Sequence, residues 1–236
     1  MSENFVSLIF DDEKIRLTIL TNLCRMLVKR GNISFDKYGL KKEKNEYENI
    51  TLVPPNNKID NDLFLPFIKK REDNYIYTIP IDNAFKDERT DSNDFNGNIL
   101  VVKIIPQVIK DIGSSSLIND FMKTYTKNKK IIIFDGMSDK VHNILSKRKN
   151  TEVFDRNYLM IDLMSLVIAP LDCSLLTVKD IEHIMSPKFA KIYENDPIVR
   201  YYNGKKNGII KIIRTSLNNS IEIVYKKIID FKAVFD

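Results

Sequence analysis

Apolar positions along this chain follow two rhythms. Between Asp12 and Arg30, Ile15, Ile19, Leu20, Leu23, Met26 and Leu27 recur at helical spacing and form one stripe. Asp12 and Glu13 suit the positive start of a helix, Lys29 and Arg30 its negative end, and Gly31 supplies a C-terminal cap. The stripe predicts a packed amphipathic helix opened by Asp11-Asp12, with Cys24 inside it as a small buried hydrophobe. From Ser34 to Lys58 the chain is polar and broken by Pro54-Pro55, which predicts a short helix or loop and then an extended piece. Tyr75-Ile76-Tyr77-Thr78-Ile79 is β-branched and aromatic and predicts a strand. The run Asp87–Asp94 predicts a solvated, turn-rich insertion.

The rhythm then shortens. Ile99-Leu100-Val101-Val102-Lys103 reads as a second strand. After Pro106, Val108, Ile109 and Ile112 have helical spacing, and Gly113 with three serines ends that helix. Residues 117–125 carry Ile118, Phe121 and Met122 as the face of a further helix. Lys129 and Lys130 lead into Ile131-Ile132-Ile133-Phe134, a continuous apolar run expected of a buried strand. Residues 99–134 thus predict a strand–helix–strand unit with parallel strands and a right-handed crossover. Asp135-Gly136-Met137-Ser138-Asp139-Lys140 follows, and Ser138 is placed to cap a helix whose inner face is Val141, Ile144 and Leu145. The free N–H groups of that helix start, with Lys140, suit a phosphate; the same pattern also fits an ordinary cap before an ordinary helix.

The charged break Ser146-Lys147-Arg148-Lys149-Asn150-Thr151 predicts a boundary between domains 1–150 and 151–236. Beyond it, Tyr158–Ile168 reads as a strand ending near Pro170. Thr177 and Asp180 form a capping-box pattern before a short helix with Val178, Ile181 and Met185 inside. Asp196-Pro197-Ile198-Val199-Arg200-Tyr201-Tyr202 predicts one or two capped turns, stopped by Asn203-Gly204. A basic turn then reaches Gly208 and the strand Ile209-Ile210-Lys211-Ile212-Ile213-Arg214. With Ser220–Lys227 across Leu217-Asn218-Asn219, this predicts a β-hairpin.

Composition narrows the function classes. The 236 residues are 43% hydrophobic, enough for a core, and no apolar run reaches the ~18 residues of a bilayer span. Met1-Ser2-Glu3-Asn4 has neither the basic lead nor the apolar stretch of a secretory signal. Two distant cysteines and two histidines offer no zinc spacing and suit a reducing compartment. A net charge of +5 permits contact with nucleic acid or with an acidic protein surface. The bias toward Lys, Asn and Ile suggests an A+T-rich coding genome.

Motifs for catalysis are lacking: no P-loop, no dinucleotide glycine pattern, no Cys–His pairing and no Gly-x-Ser-x-Gly elbow. A Mg²⁺-dependent nuclease would want a carboxylate two residues before Lys103, where Val101 stands, and Asp135 ends the next strand alone. No catalytic residue, metal ligand or cofactor is therefore assigned.

The segment 196–214 closely resembles the C-terminal module of the fifth subunit shared by eukaryotic RNA polymerases I, II and III, a module that forms a whole small subunit by itself in archaeal polymerases. The family pattern runs from Asp-Pro and an aromatic tail through a basic glycine turn to a strand ending Lys-Ile-x-Arg. Residues 131–140 resemble the family's strand leading into Gly-Met-Thr-Pro, with Ser138 for Thr and Asp139 for Pro. The chain departs from the family at 169–177, where Ala169-Pro170-Leu171-Asp172-Cys173-Ser174-Leu175-Leu176-Thr177 stands in place of a His-x-Leu-Val-Pro-x-His signature. The resemblance implies an α/β (α+β) protein. Its N-terminal jaw would have a three-layer, nuclease-like mixed sheet flanked by helices, and its small mixed C-terminal assembly domain would contain the hairpin.

It also implies a non-catalytic polymerase subunit. Its C-terminal module would dock on the largest subunit through Asp196, Pro197, Arg200, Tyr201, Tyr202, Gly208, Lys211 and Arg214. Its jaw would meet downstream duplex DNA through phosphates, with Ser138, Lys140, Lys129 and Lys130 as candidates. Neither a membrane nor a small-molecule substrate is implied. Divergence and composition suggest a large DNA virus transcribing in host cytoplasm, with the virion as a second location; a cellular member would be nuclear. The alternative is a free nucleic-acid-binding protein or nuclease relative.

Overall fold

A computed structural model describes residues 12–33, 68–71, 75–82, 98–109, 112, 116–166, 168–182, 184, 188–216 and 220–230. The insertion at 87–94, the segment 34–58, Ser114 and Ser115, Met185 and the turn Leu217–Asn219 lie outside the described residues. The described chain divides into two compact units, one ending at Ile161 and the other beginning at Asp162.

The first unit is a five-stranded mixed sheet. Its strands are β1 (Lys69–Lys70), β2 (Ile76–Pro80), β3 (Ile99–Ile105), β4 (Lys129–Phe134) and β5 (Thr151–Asp155), in that spatial order. β1, β2 and β3 pair antiparallel, and β3, β4 and β5 pair parallel, with Val102 opposite Ile131 and Ile132 opposite Val153. The expected parallel strand–helix–strand unit is present, since α2 (Ser116–Thr124) connects β3 to β4. α3 (Asp139–Ser146) then connects β4 to β5.

Side chains on the two faces of a strand alternate, and both faces here are buried. Val101, Ile105, Ile132, Phe134 and Val153 form one core with Ile118 and Phe121 of α2 and Val141 and Leu145 of α3. Ile144, expected inside, is 38% exposed. Leu100, Val102, Ile131, Ile133 and Phe154 are buried on the opposite face. There Arg30, just past α1 (Asp12–Lys29), binds Glu152 of β5 at 2.9 Å. Asn22 of α1 donates to the carbonyl of Leu159 in α4 (Arg156–Leu159) at 2.9 Å. Helices on both faces make the three layers that the resemblance implies.

Helix α1 ends as its glycine predicts. Gly31 has φ +73°, its N–H donates to Val28, and Asn32 donates back to Leu27, a Schellman closure. Cys24 is buried, and desolvation pushes its thiol up to about 12, which makes it an inert core residue.

Three expectations are corrected. Thr151–Asp155 pairs with β4 and completes the first sheet, so the units part after Ile161 rather than at 150. Residues 158–168 are not a strand: α4 and a 3-10 turn at Leu163–Ser165 occupy them, capped by Asp155 and Asp162. Their apolar density mimics a strand, and Ile168 is 91% exposed. Nor do Val108 and Ile109 form a helix. Ile109 instead bridges to Met137 in parallel, and Val108 is exposed.

The second unit is a four-stranded sheet in the order β6 (Asp172–Leu175), β8 (Ile209–Thr215), β9 (Ile221–Ile229), β7 (Ala190–Tyr193). β8 and β9 pair antiparallel from Ile209↔Lys227 to Thr215↔Ile221, the expected hairpin strands. β7 joins β9 in parallel and β6 joins β8 antiparallel. Two short helices, α5 (Val178–Glu182) and α6 (Pro197–Tyr201), link the strands. The capping box before α5 is formed, with Asp180 accepting from the N–H and hydroxyl of Thr177 at 2.8 and 2.6 Å.

Candidate functional site

The C-terminal ends of β3, β4 and β5 lie together at one edge of the first sheet, where the segment Asp135–Lys140 emerges. Gly136 turns the chain at φ +89°, a conformation that a side chain would strain. The segment is held from below by 106–109. Ile109 donates to the Gly136 carbonyl at 3.3 Å, and Ser138 donates to the Ile109 carbonyl at 3.3 Å. Ser138 sits at the N-cap of α3 in extended conformation, and its Oγ accepts from the Val141 N–H at 3.4 Å. Lys140 is exposed one residue into the helix. The expected cap and its neighbouring cation therefore stand at the expected place.

Arg156, which the sequence pattern does not single out, joins this edge. It follows β5 directly and binds Asp135 at 3.0 Å, with about a third of each side chain exposed. Recognising 151–155 as a strand would have revealed Arg156, because the parallel register places Asp155 beside Phe134.

Lys129 and Lys130 do not share that edge. They begin β4 at the opposite end and are 8% and 2% exposed. Lys130 Nζ donates to the carbonyls of Asn128 at 2.7 Å, Tyr125 at 2.9 Å and Thr126 at 3.4 Å. Its charge braces the turn after α2, so it presents no ammonium to a phosphate. Among the described residues no three carboxylate, imidazole or thiol groups converge as metal ligands would.

In the second unit the motif 196–214 separates into inner and outer residues. Asp196 caps α6, its Oδ1 accepting from the Ile198 N–H at 2.9 Å, and Pro197 occupies the first turn. Val199, Tyr201 and Tyr202 are buried, with the two tyrosine rings 5.2 Å apart. Both tyrosines are thus core residues of this unit. Asn203, with φ +55°, takes the left-handed position, donating to Arg200 while Gly204 donates to Val199. Gly204 is needed for space: a Cβ there would lie 2.6 Å from Ile228 Cδ1 and 2.9 Å from Val199 Cγ1. Pro197 and Arg214 are exposed, and Arg200, Gly208 and Lys211 are half-buried. Arg214 pairs with Glu222 across the hairpin at 2.8 Å.

These features carry a wider likeness. The family profile described as "RNA polymerase Rpb5, C-terminal domain" matches residues 176–228, which span α5, β7, α6, β8 and nearly all of β9. DNA-directed RNA polymerase subunit 5 of Acanthamoeba polyphaga mimivirus is 33% identical over 159 residues, covering 62% of this chain and 77% of that protein. The chain belongs to the Rpb5 family. The Rpb5 likeness is longer than the stretch from 162 to 236, so it reaches into the first unit. The Rpb5 profile begins just after β6, whose Cys173 is buried.

Proposed function

We propose that this chain is a non-catalytic subunit of a multisubunit DNA-directed RNA polymerase. The second unit docks on the largest subunit, and the first unit meets downstream duplex DNA through phosphates. The observation that carries the DNA half is the clamped segment Gly136–Lys140, with its Ser138 cap, exposed Lys140 and neighbouring Arg156 at a single sheet edge. Such contacts position a duplex without reading its sequence. Lys129 and Lys130 drop out because they are buried. The docking half rests on the family match over 176–228. Tyr201 and Tyr202 support that surface from inside, which leaves Pro197, Arg200, Lys211 and Arg214 to face a partner. The viral relative supports a viral polymerase subunit, for which host cytoplasm and the virion are the proposed locations.

Reconstitution of the polymerase tests both halves. The Lys140→Ala/Arg156→Ala variant is expected to assemble normally. It should hold downstream DNA more weakly by about 1 kcal/mol or less per contact, with a shallower salt dependence. The Lys211→Ala/Arg214→Ala variant is expected to fold yet incorporate poorly. Recovery of the chain only as a free monomer that cleaves DNA with Mg²⁺ would overturn the proposal.

A further inference from the structure

At the other end of the first sheet, beneath the starts of β4 and β5, the structure holds a cleft of about 680 Å³. One wall is the end of α2, with Lys123; the other is the loop after α3, with Lys147, Arg148 and Lys149. All four cations are exposed, and none forms an ion pair among the described residues. No carboxylate lines the cleft among the described residues. Its floor includes an apolar patch, with Ile118 and Leu145 buried and Met122 and Ile112 half-buried, beside the buried Lys130, whose ammonium is held by backbone carbonyls.

Both walls are built rigidly. Lys130 ties the turn after α2 to the sheet through three carbonyls. The basic loop is pinned by Lys130 N–H to the Asn150 carbonyl at 2.8 Å, Thr151 Oγ to the Lys149 carbonyl at 3.1 Å, and Arg148 N–H to the Leu145 carbonyl at 3.0 Å. Backbone donors therefore close the end of α3, and the rim cations are not consumed in capping it. A preformed concavity of this size falls within the range of ligand sites, and its rigidity lowers the ordering cost of binding.

We infer that this cleft docks an acidic protein segment carrying an apolar anchor. The anchor covers Met122 and Ile112, while Asp or Glu residues meet Lys123, Lys147 and Lys149. A phosphate backbone would use the cations but leave the apolar patch in water; an acidic segment with Leu or Phe satisfies both. The cleft and the segment at Ser138 lie at opposite ends of α3, roughly 12 Å apart along an eight-residue helix. The two can be loaded independently.

Fluorescence anisotropy on the full chain tests this, with a labelled synthetic peptide of Asp, Glu, Leu and Phe as probe. Saturable binding is expected. It should weaken about fivefold or more in Lys147→Gln/Lys149→Gln and in Lys123→Gln on the opposite wall, and stay within about twofold of the parent in Lys140→Gln. A peptide of equal charge with Ser replacing Leu and Phe should bind more weakly, and Met122→Ser should narrow that difference. Circular dichroism establishes that each variant is folded. Absence of saturable binding, equal binding of the Ser peptide, or indifference to both wall variants overturns the inference. So does a loss of duplex DNA affinity in the wall variants with peptide binding intact, which would make the cleft a nucleic-acid surface.

Discussion

Lys130 is almost wholly buried, and desolvation pulls its ammonium down to about 8 from an ordinary 10.5. The folded pKa is depressed, so between pH 8 and 10.5 the unfolded chain holds a proton that the folded chain lacks. Stability from this group therefore rises with pH across that window and is lowest below it. Urea unfolding should show the parent gaining stability relative to Lys130→Met as pH rises from about 8 to 10.5. A constant difference would rule the titration out. Arg30 and Glu152 make the reverse case of a paired buried charge, with side chains only 4% and 9% exposed. Arg30 reaches both carboxylate oxygens and lies 6.0 Å from the Phe154 ring centroid. Removing one partner in Arg30→Met should cost about 3–5 kcal/mol, because the stranded carboxylate stays buried. Arg30→Met/Glu152→Leu should recover much of that loss in the same denaturation assay.

At the scale of elements, helix ends are decided by one or two residues each. Gly31 closes α1 and Asn203 closes α6, both in the left-handed conformation that ends a helix. Gly204 is a different matter, since its φ is ordinary and its neighbours are close. Gly204→Ala should therefore destabilise the second unit by about 1–3 kcal/mol through overpacking against Ile228 and Val199, measured as a lowered melting transition. The second unit's lone fully buried β9 residue, Ile228, is the side chain that must yield. Elsewhere helical spacing misled. Val108, Ile109 and Ile112 have the right intervals for a helix, yet Ile109 forms a bridge instead, because its backbone bonds go to Gly136 and Ser138. The pairing of Ile109 with Met137, far downstream, outweighs a pattern of three apolar positions.

At the scale of the whole molecule, the two units carry different proposed tasks, and the tests separate them. Loss of Lys140 and Arg156 should change DNA retention without changing assembly, and loss of Lys211 and Arg214 should do the opposite. Much of this architecture was legible in the chain. Apolar patterning determined α1, the parallel β3–α2–β4 unit and the β8–β9 hairpin, because a one-sided stripe marks a packed helix and a short, dense apolar run marks a buried strand. Local chemistry likewise determined the caps at Ser138, Thr177 and Asp196, since a cap needs only its own next three residues. What distance along the chain concealed, tertiary structure decided. It assigned β5 to the first sheet, brought Arg156 to Asp135, and buried Lys129, Lys130, Tyr201 and Tyr202. It also gathered Lys123 and the basic loop around one cleft. Whether a lysine or tyrosine faces water depends on which distant segment covers it, and no spacing within a single segment records that.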